Sequence, residues 1–143
     1  CCTPLFDAIG KTVKKIKKDT KDVEDAAVLV TIITDGYENS SKEWTGPMVK
    51  KLIDECKEEG WTFSFIGAGE DVVKVATTIS ITNTVVWEQT SEGTAEMFEN
   101  ENQARNRFYD KMAAPCCGAP MTLEERKAMK RRLAEEYYDE DKK

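Results

Sequence analysis

A threonine and an aspartate carry the main chemical signal in this 143-residue sequence. Thr3 precedes the first predicted helix, and Asp35 follows a long run of apolar, β-branched residues that is typical of a buried strand. Ligands of an open α/β sheet bind beyond the carboxyl ends of its strands. Because the helix after Thr3 leads back to the strand before Asp35, both side chains should lie at that edge. Mg²⁺ prefers oxygen ligands, so the sequence predicts part of a hard-cation site there.

Simpler roles fit the same residues, and the sequence leaves them open. Thr3 is well placed to be the N-cap of a helix whose first residue is Pro4. Asp35 and Gly36 together are typical of a simple turn. The glycine-containing turn at 67–69 is too short for a dinucleotide fingerprint, which favours a role in backbone shape over nucleotide binding.

Two residue counts exclude several kinds of chemistry. The sequence contains no histidine and five cysteines. Without histidine there is no His-based acid–base catalysis, no Ser-His or Cys-His nucleophile and no His-ligated zinc. The cysteines form two adjacent pairs plus Cys56, which is neither the C-x-x-C spacing of zinc sites nor a disulfide framework. No signal peptide is visible, so we expect reduced thiols and a cytoplasmic protein.

The charge balance and hydropathy argue against two classes of partner. Twenty-seven acidic and 21 basic residues give a net charge of −6. A protein that neutralises nucleic-acid phosphates normally has the opposite balance, so we expect no nucleic-acid partner. The lysines between 11 and 18 are interleaved with apolar residues at helical spacing, which indicates the solvated face of a helix. No apolar run approaches the ~20 residues of a membrane span, so we expect no membrane partner.

Helical and strand patterns alternate along the chain, which predicts an α/β fold with right-handed crossovers. We expect a Rossmann-like, mostly parallel sheet of about three strands, with helices on both faces and the first strand covered on both sides. Apolar spacing suggests that the last long helix before the tail is anchored by Ala95, Phe98, Phe108 and Met112. The predicted helices lie at 4–18, 47–60, 71–78 and 93–111, and the predicted strands at 26–34, 61–66 and 84–87.

The C-terminal part of the chain differs in composition from the rest. We divide the chain into a domain at 1–112, a linker at 113–121 and a charged helical tail at 122–143. Thr122 and Glu125 form a capping box that begins the tail helix. Few apolar residues follow, so this helix is expected to dock weakly or to hang free.

Two motifs separated by the first predicted strand resemble the later part of a von Willebrand factor type A domain, most closely its stand-alone bacterial and phage members. The motifs are T-P-L-F-D-A-I-G at 3–10 and T-D-G-Y-E-N at 34–39, and the stretch at 58–68 extends the likeness. The resemblance reaches to about residue 112 and leaves out the tail. As a pair at this spacing, the two motifs are more specific than either one alone.

The resemblance implies a metal-ion-dependent adhesion site at the top of the sheet that binds Mg²⁺ or Mn²⁺. In that family the ligands are a D-x-S-x-S loop, a threonine from a second loop and an aspartate from a third. Thr3 and Asp35 match the last two. An acidic residue of a partner protein commonly completes the coordination, because an incompletely ligated ion attracts a carboxylate. The loop residues expected to contact the partner are Gly36, Tyr37, Glu38, Gly67 and Gly69.

The D-x-S-x-S motif itself is absent from the sequence. In the family's strand order, the strand that carries this motif lies directly beside the strand at 26–34. We therefore expect the chain to be the C-terminal portion of a longer protein. By itself it should bind the metal weakly or not at all, since Thr3 and Asp35 supply too few oxygens.

The predicted function is a protein-binding module, not an enzyme, that depends on a divalent cation in the full-length protein. Two alternatives stay open. The first is a metal-independent structural or interaction protein with a degenerate fold of this type, which would contact its partner through the tail from Thr122 onward. The second is a nucleotide-binding, Rossmann-like enzyme, against which the absence of histidine, of a P-loop and of a full G-x-G-x-x-G counts.

Overall fold

The computed structural model of the protein describes residues 3–38, 40–113, 118 and 120–138. Five helices and three strands lie within these residues, and none of the helices combines the length and the apolar composition needed to cross a membrane. In chain order the elements are α1 (Leu5–Asp19), β1 (Leu29–Thr34), α2 (Gly46–Glu58), β2 (Thr62–Gly67), α3 (Glu70–Thr78), β3 (Asn83–Val86), α4 (Ser91–Ala113) and α5 (Leu123–Glu135).

The three strands form one parallel sheet in the order β1–β2–β3. β1 pairs with β2 along its whole length, from Leu29 opposite Thr62 to Thr34 opposite Gly67. The helices α2 and α3 connect successive strands, as parallel pairing requires. The predicted α/β class, with a parallel sheet of three strands in the described residues, is confirmed.

One face of the sheet is covered by the first three helices. Phe63 and Phe65 of β2 belong to a continuous buried core with Val13 of α1, Ile53 of α2 and Val72 of α3. Burying an apolar side chain of this size stabilises a fold by about 1.5–3 kcal/mol. This core therefore holds the helices that frame the carboxyl end of the sheet.

The helix α4 packs on the other face of the sheet through a row of buried residues that differs from the predicted row. Two of the predicted anchors, Ala95 and Phe98, are wrong: Ala95 is exposed, and the Phe98 side chain is 50% exposed. The prediction counted only apolar residues, whereas the charged residue Glu101 occupies the middle of the buried stripe. That stripe consists of Met97, Glu101, Ala104, Phe108 and Met112.

The carboxylate of Glu101 is 3% exposed and accepts three hydrogen bonds. Thr31 Oγ1 of β1 donates at 2.7 Å, Tyr137 OH at 2.9 Å and Tyr138 OH at 2.8 Å. Burial, together with the Glu101 carboxylate, raises the pKa of both tyrosines, so their hydroxyls remain protonated donors. A buried carboxylate is tolerated when its oxygens are hydrogen-bonded in this way. The network ties β1, α4 and the segment after α5 together.

The helix α5 packs on the sheet, and the expectation that it docks weakly or hangs free is wrong. Its predicted capping box, Thr122 with Glu125, is present. Lys130 is only 2% exposed; its ammonium contacts the Asp25 carboxylate and donates to the Ala26 carbonyl oxygen at 3.0 Å. A hydropathy pattern places Lys130 in solvent. In the structure its charge is neutralised by the Asp25 carboxylate, which is more than 100 residues away in sequence.

The same contact explains why β1 begins at Leu29 and not at residue 26. Asp25 has a φ of 57°, and its carboxylate contacts both Arg126 and Lys130. The Ala26 carbonyl oxygen accepts a hydrogen bond from Lys130. The backbone at residues 25–26 is therefore bound to α5 and does not extend the strand.

Candidate functional site

The start of α1 and the loop after β1 meet at the carboxyl end of the sheet. A Cβ atom placed on Gly36 would lie 2.8 Å from Thr3 Oγ1, so the threonine hydroxyl lies directly against the residue that follows Asp35. Asp35 itself is exposed. The two segments that the topology was expected to bring together are thus neighbours.

A pair of hydrogen bonds shapes the turn that carries Asp35. The Thr34 hydroxyl donates to the Gly36 carbonyl oxygen at 3.1 Å and accepts from the Gly36 N–H at 3.2 Å. Thr34 is buried at the end of β1. Because Thr34 is buried and hydrogen-bonded to Gly36, the backbone conformation of the turn around Asp35 is fixed.

Gly36→Ala should destabilise the protein by about 1 kcal/mol, because the added methyl group overlaps the Thr3 hydroxyl. The double variant with Thr3→Ala should recover most of this loss, since both substitutions act on one contact. Chemical denaturation of the wild type, the two single variants and the double variant measures the coupling. Strictly additive losses would show that the two segments do not touch.

A distant loop, and not Thr3, caps the first turn of α1. Pro4 is the N-cap residue and makes no side-chain cap. The N–H of Phe6 donates to Glu38 Oε2 at 2.6 Å, and the next N–H donates to Ser41 Oγ at 3.0 Å. The N–H groups of a first helical turn have no partner within the helix, and these two acceptors satisfy two of them. The N-cap interpretation of Thr3 is therefore wrong.

Glu38, which the sequence suggested as a partner-contacting residue, has its carboxylate engaged within the protein. The N–H groups of Ser40 and Ser41 donate to it at 3.0 and 2.8 Å, and the Ser41 hydroxyl donates at 2.7 Å. Burial alone would raise the pKa of Glu38. The hydrogen bonds outweigh this effect, led by the one from Phe6, and hold the pKa below its usual range. Glu38 organises the loop that frames the edge.

Asp7 provides a second link between α1 and the same loop. Its carboxylate accepts from the N–H groups of Lys42 and Glu43, both at 3.0 Å, and of Trp44 at 2.8 Å. These bonds, with the one from Lys42 foremost, lower the pKa of Asp7. The sequence pattern indicates no role for Asp7. The sequence gives little indication of this link to the loop, because an aspartate in a first helical turn ordinarily stabilises its own helix.

The remaining predicted contact residues lie around this edge together with exposed apolar side chains. Gly67 ends β2, and Gly69 is the N-cap of α3 with a φ of 103°, a conformation that glycine adopts without strain. Tyr37 directly follows the Asp35 turn and is 55% exposed. Met48 in the first turn of α2 and Val86 at the end of β3 are also exposed. The edge thus offers an acidic group within apolar surroundings.

The residues at this edge supply part of a divalent-cation site. Thr3 and Asp35 contribute one hydroxyl and one carboxylate, whereas Mg²⁺ demands a near-octahedral shell of oxygens. Within the described ranges, no group of three or more acidic or cysteine side chains is close enough to hold a metal ion. Further oxygens would have to come from water, from a partner or from another loop.

Comparison with known proteins identifies no relative. No protein-family model, no curated protein and no solved structure matches the chain. Function is therefore inferred from the fold and from the geometry of this edge.

Proposed function

We propose that the chain is part of a von Willebrand factor type A domain and acts as a protein-binding module that depends on a divalent cation. The observation that carries the proposal is the contact of Thr3 Oγ1 with Gly36, beside the exposed Asp35. In the resembled family a threonine and an aspartate from these two loops ligate Mg²⁺ or Mn²⁺.

The topology of the sheet supports this proposal. A parallel order β1–β2–β3 with helical crossovers suits a Rossmann-like, doubly wound sheet. Such sheets bind their ligands beyond the carboxyl ends of the strands, which is where the Thr3 and Asp35 segments meet. The sequence lacks histidine, a P-loop and a full dinucleotide fingerprint, so we propose binding and not catalysis.

Electrostatics at the edge support dependence on a cation. Asp35 is exposed, and Glu70 and Asp71 occupy the first turn of α3, which begins just beyond β2. Asp71 is paired with Lys74, so the exposed Asp35 and Glu70 carboxylates are the ones that would repel an acidic partner without a bound cation. A divalent cation with an incomplete protein shell would instead attract the partner's carboxylate as a ligand. The partner is therefore proposed to be a protein that presents an acidic side chain.

The exposed apolar side chains indicate the rest of the contact. Tyr37, Met48 and Val86 would pack against apolar surface around the partner's acidic residue. Tyrosines in such positions are frequent contributors to binding energy at protein interfaces. Tyr37→Ala should therefore weaken partner binding without affecting the metal.

A second candidate function is protein binding at the same edge without a metal. The incomplete set of ligands among the described residues favours it. The two functions differ in their response to chelation. Binding that survives both a chelator and Asp35→Ala, but fails in Tyr37→Ala, would identify the metal-independent one. Deleting α5 is not a useful test, because its buried Lys130 and Leu133 make it part of the fold.

The proposal predicts a thermal shift by Mg²⁺ in a protein that carries this chain together with a D-x-S-x-S loop. Saturation to about 100 times the Kd should add about 2.7 kcal/mol to the free energy of unfolding. Asp35→Ala should abolish this gain, whereas Asp71→Ala, which removes an exposed acid of α3, should retain it. Equal shifts in the wild type and in Asp35→Ala would contradict the proposal.

A further inference from the structure

A row of polar side chains crosses the face of the sheet that α4 covers. In the register of the strands, Thr31 lies opposite Ser64, and Ser64 lies opposite Asn83. The Ser64 hydroxyl donates to Thr31 Oγ1 at 3.1 Å, and Thr31 in turn donates to the Glu101 carboxylate. A sheet face under a helix is ordinarily apolar, because buried polar groups need compensating hydrogen bonds. Departures from the apolar pattern of this kind are expected at functional sites.

The Glu101 carboxylate at the centre of this row has little positive charge around it. Among the described residues, its Oε1 accepts from the hydroxyls of Thr31 and Tyr137, and its Oε2 accepts from Tyr138 alone. The cation in contact with it is Arg105, whose Nη2 lies 3.5 Å from Oε1 and whose side chain is 44% exposed. A carboxylate oxygen accepts about two hydrogen bonds, so Oε2 has room for one more donor. A positively charged donor there would compensate the buried charge.

A cavity of about 230 Å³ adjoins this oxygen, between α4 and the strands β2 and β3. Glu101 and Tyr138 line it, whereas Thr31 and Tyr137 do not, so Oε2 is the carboxylate oxygen on the cavity side. Pockets for drug-sized ligands measure roughly 300–1,000 Å³, so this cavity suits a smaller molecule. Its other lining residues are Ile66, Val85, Met97, Asn100, Gln103 and Arg107.

The cavity combines an apolar wall with a positive charge. Ile66 of β2 lies opposite Val85 of β3 in the register, so the two side chains form one apolar surface, which Met97 of α4 extends. Arg107 lies on the same flank of α4 and is half-buried. In the part of the chain that the structure describes, no carboxylate lies within ion-pair distance of Arg107. Its guanidinium is therefore free to bind an anionic group in the cavity.

The spacing of the two charged groups defines the ligand. Six residues separate Glu101 from Arg107, which is about 9 Å along the helix axis. This leaves room for an ammonium group and a carboxylate side by side between the two side chains. A simple carboxylate would be repelled by Glu101, and a simple amine would leave Arg107 unpaired. The amides of Asn100 and Gln103 on the same flank provide further hydrogen-bonding groups.

We propose that this cavity binds a free α-amino acid with an aliphatic side chain. The ammonium group of the amino acid donates to Glu101 Oε2, and its carboxylate accepts from the Arg107 guanidinium. Its side chain packs against Ile66, Val85 and Met97. This site is separate from the proposed cation site, because neither Thr3 nor Asp35 lines the cavity.

The test is a titration of the chain with L-leucine, followed through the methyl resonances of the protein and without added metal. A ligand of this size has modest affinity, so we expect saturation at millimolar concentrations. The methyl signals of Ile66, Val85 and Met97 should shift together with one Kd. The signals of Val13 and Ile53, in the core on the opposite face of the sheet, should stay in place.

Two analogues of leucine test the two charges separately. 3-Methylbutylamine is leucine without its carboxylate, and 4-methylpentanoate is leucine without its ammonium group. Each should bind at least ten times more weakly than L-leucine, because each leaves one charged side chain of the cavity without its partner.

Variants of the two charged residues match these analogues. Arg107→Gln should weaken L-leucine at least tenfold and leave 3-methylbutylamine unchanged, since that ligand has no carboxylate. Arg131→Gln, which removes an exposed arginine of α5 outside this cavity, should retain leucine binding. Glu101→Gln should improve the binding of 4-methylpentanoate, because it removes the repelling charge. Partial unfolding of this variant would not produce such a gain.

Three outcomes would overturn the proposal. The first is the absence of saturable shifts of Ile66, Val85 and Met97 up to about 20 mM L-leucine, a concentration that would detect even weak binding. The second is equal affinity for leucine and for both analogues, which would mean that the charges are not recognised. The third is an equal loss of leucine and of 3-methylbutylamine in Arg107→Gln, which would indicate a structural effect. Because the titration contains no metal, none of these outcomes bears on the cation-dependent function.

Discussion

Glu101→Ala is expected to lower the free energy of unfolding by about 4 kcal/mol, because it leaves buried hydroxyl groups without an acceptor. Thr31, Tyr137 and Tyr138 all donate to this carboxylate. Their loss should loosen the segment after α5 as well as the contact of α4 with β1. Urea denaturation followed by circular dichroism measures the change.

Two control variants separate this network from a general effect on α4. Glu101→Gln keeps one carbonyl acceptor and should cost clearly less than Glu101→Ala. Glu99→Ala removes an exposed glutamate of the same helix and should change stability by no more than about 0.5 kcal/mol. If Glu101→Ala and Glu99→Ala had equal effects, the buried network would not stabilise the fold.

Glu38→Ala is expected to destabilise the protein by about 3 kcal/mol, since the carboxylate holds the first turn of α1 and the loop after β1 in one arrangement. The hydrogen bonds from Phe6, Ser40 and Ser41 would all be lost. Thermal denaturation gives the size of the loss. Glu43→Ala, which removes an exposed glutamate of the same loop, is the matched control and should have a small effect.

The pH dependence of the free energy of unfolding provides a second measure of how much the Glu38 carboxylate stabilises the fold. Its folded-state pKa lies below the usual value, so its stabilising contribution is complete above the unfolded pKa. The contribution is lost as the pH falls through the lower, folded pKa. Glu38→Gln should therefore flatten the acid limb of the stability profile. An unchanged acid limb would show that this carboxylate carries no net hydrogen-bond stabilisation in the fold.

The elements of the fold could be predicted from the sequence because their signals are local. An apolar, β-branched run predicts β1, and the capping box of Thr122 with Glu125 begins α5 as expected. The alternation of helices and strands gives the α/β class, and a helix between successive strands gives parallel pairing. These features depend on residues close to one another in the chain.

The features that could not be predicted depend on partners far apart in the chain. Lys130 and Glu101 are charged residues that a hydropathy pattern assigns to the surface, yet both are buried. Their partners Asp25 and Tyr138 lie 105 and 37 residues away. Glu38 caps α1 from 32 residues downstream, so a local reading of Thr3 as the N-cap was wrong.

At the candidate site, the topology predicted where the Thr3 and Asp35 segments meet, but not which metal or partner they bind. The helix that follows Thr3 and the strand that ends before Asp35 were expected to meet at one edge, and the Thr3 hydroxyl does lie against Gly36. The metal, the partner and the von Willebrand factor type A assignment stay predictions. No residue pattern near Thr3 or Asp35 indicates which further oxygens would complete a cation site.

The most direct test of the proposed function is the line broadening of backbone amide resonances by Mn²⁺ in the chain as it stands. Paramagnetic broadening reports weak sites, which suits a partial set of ligands. The proposal predicts broadening centred on Thr3, Asp35 and Gly36 that is lost in Asp35→Asn and kept in Asp71→Asn. Broadening that is unchanged in Asp35→Asn, or that is centred on other acidic residues, would contradict it.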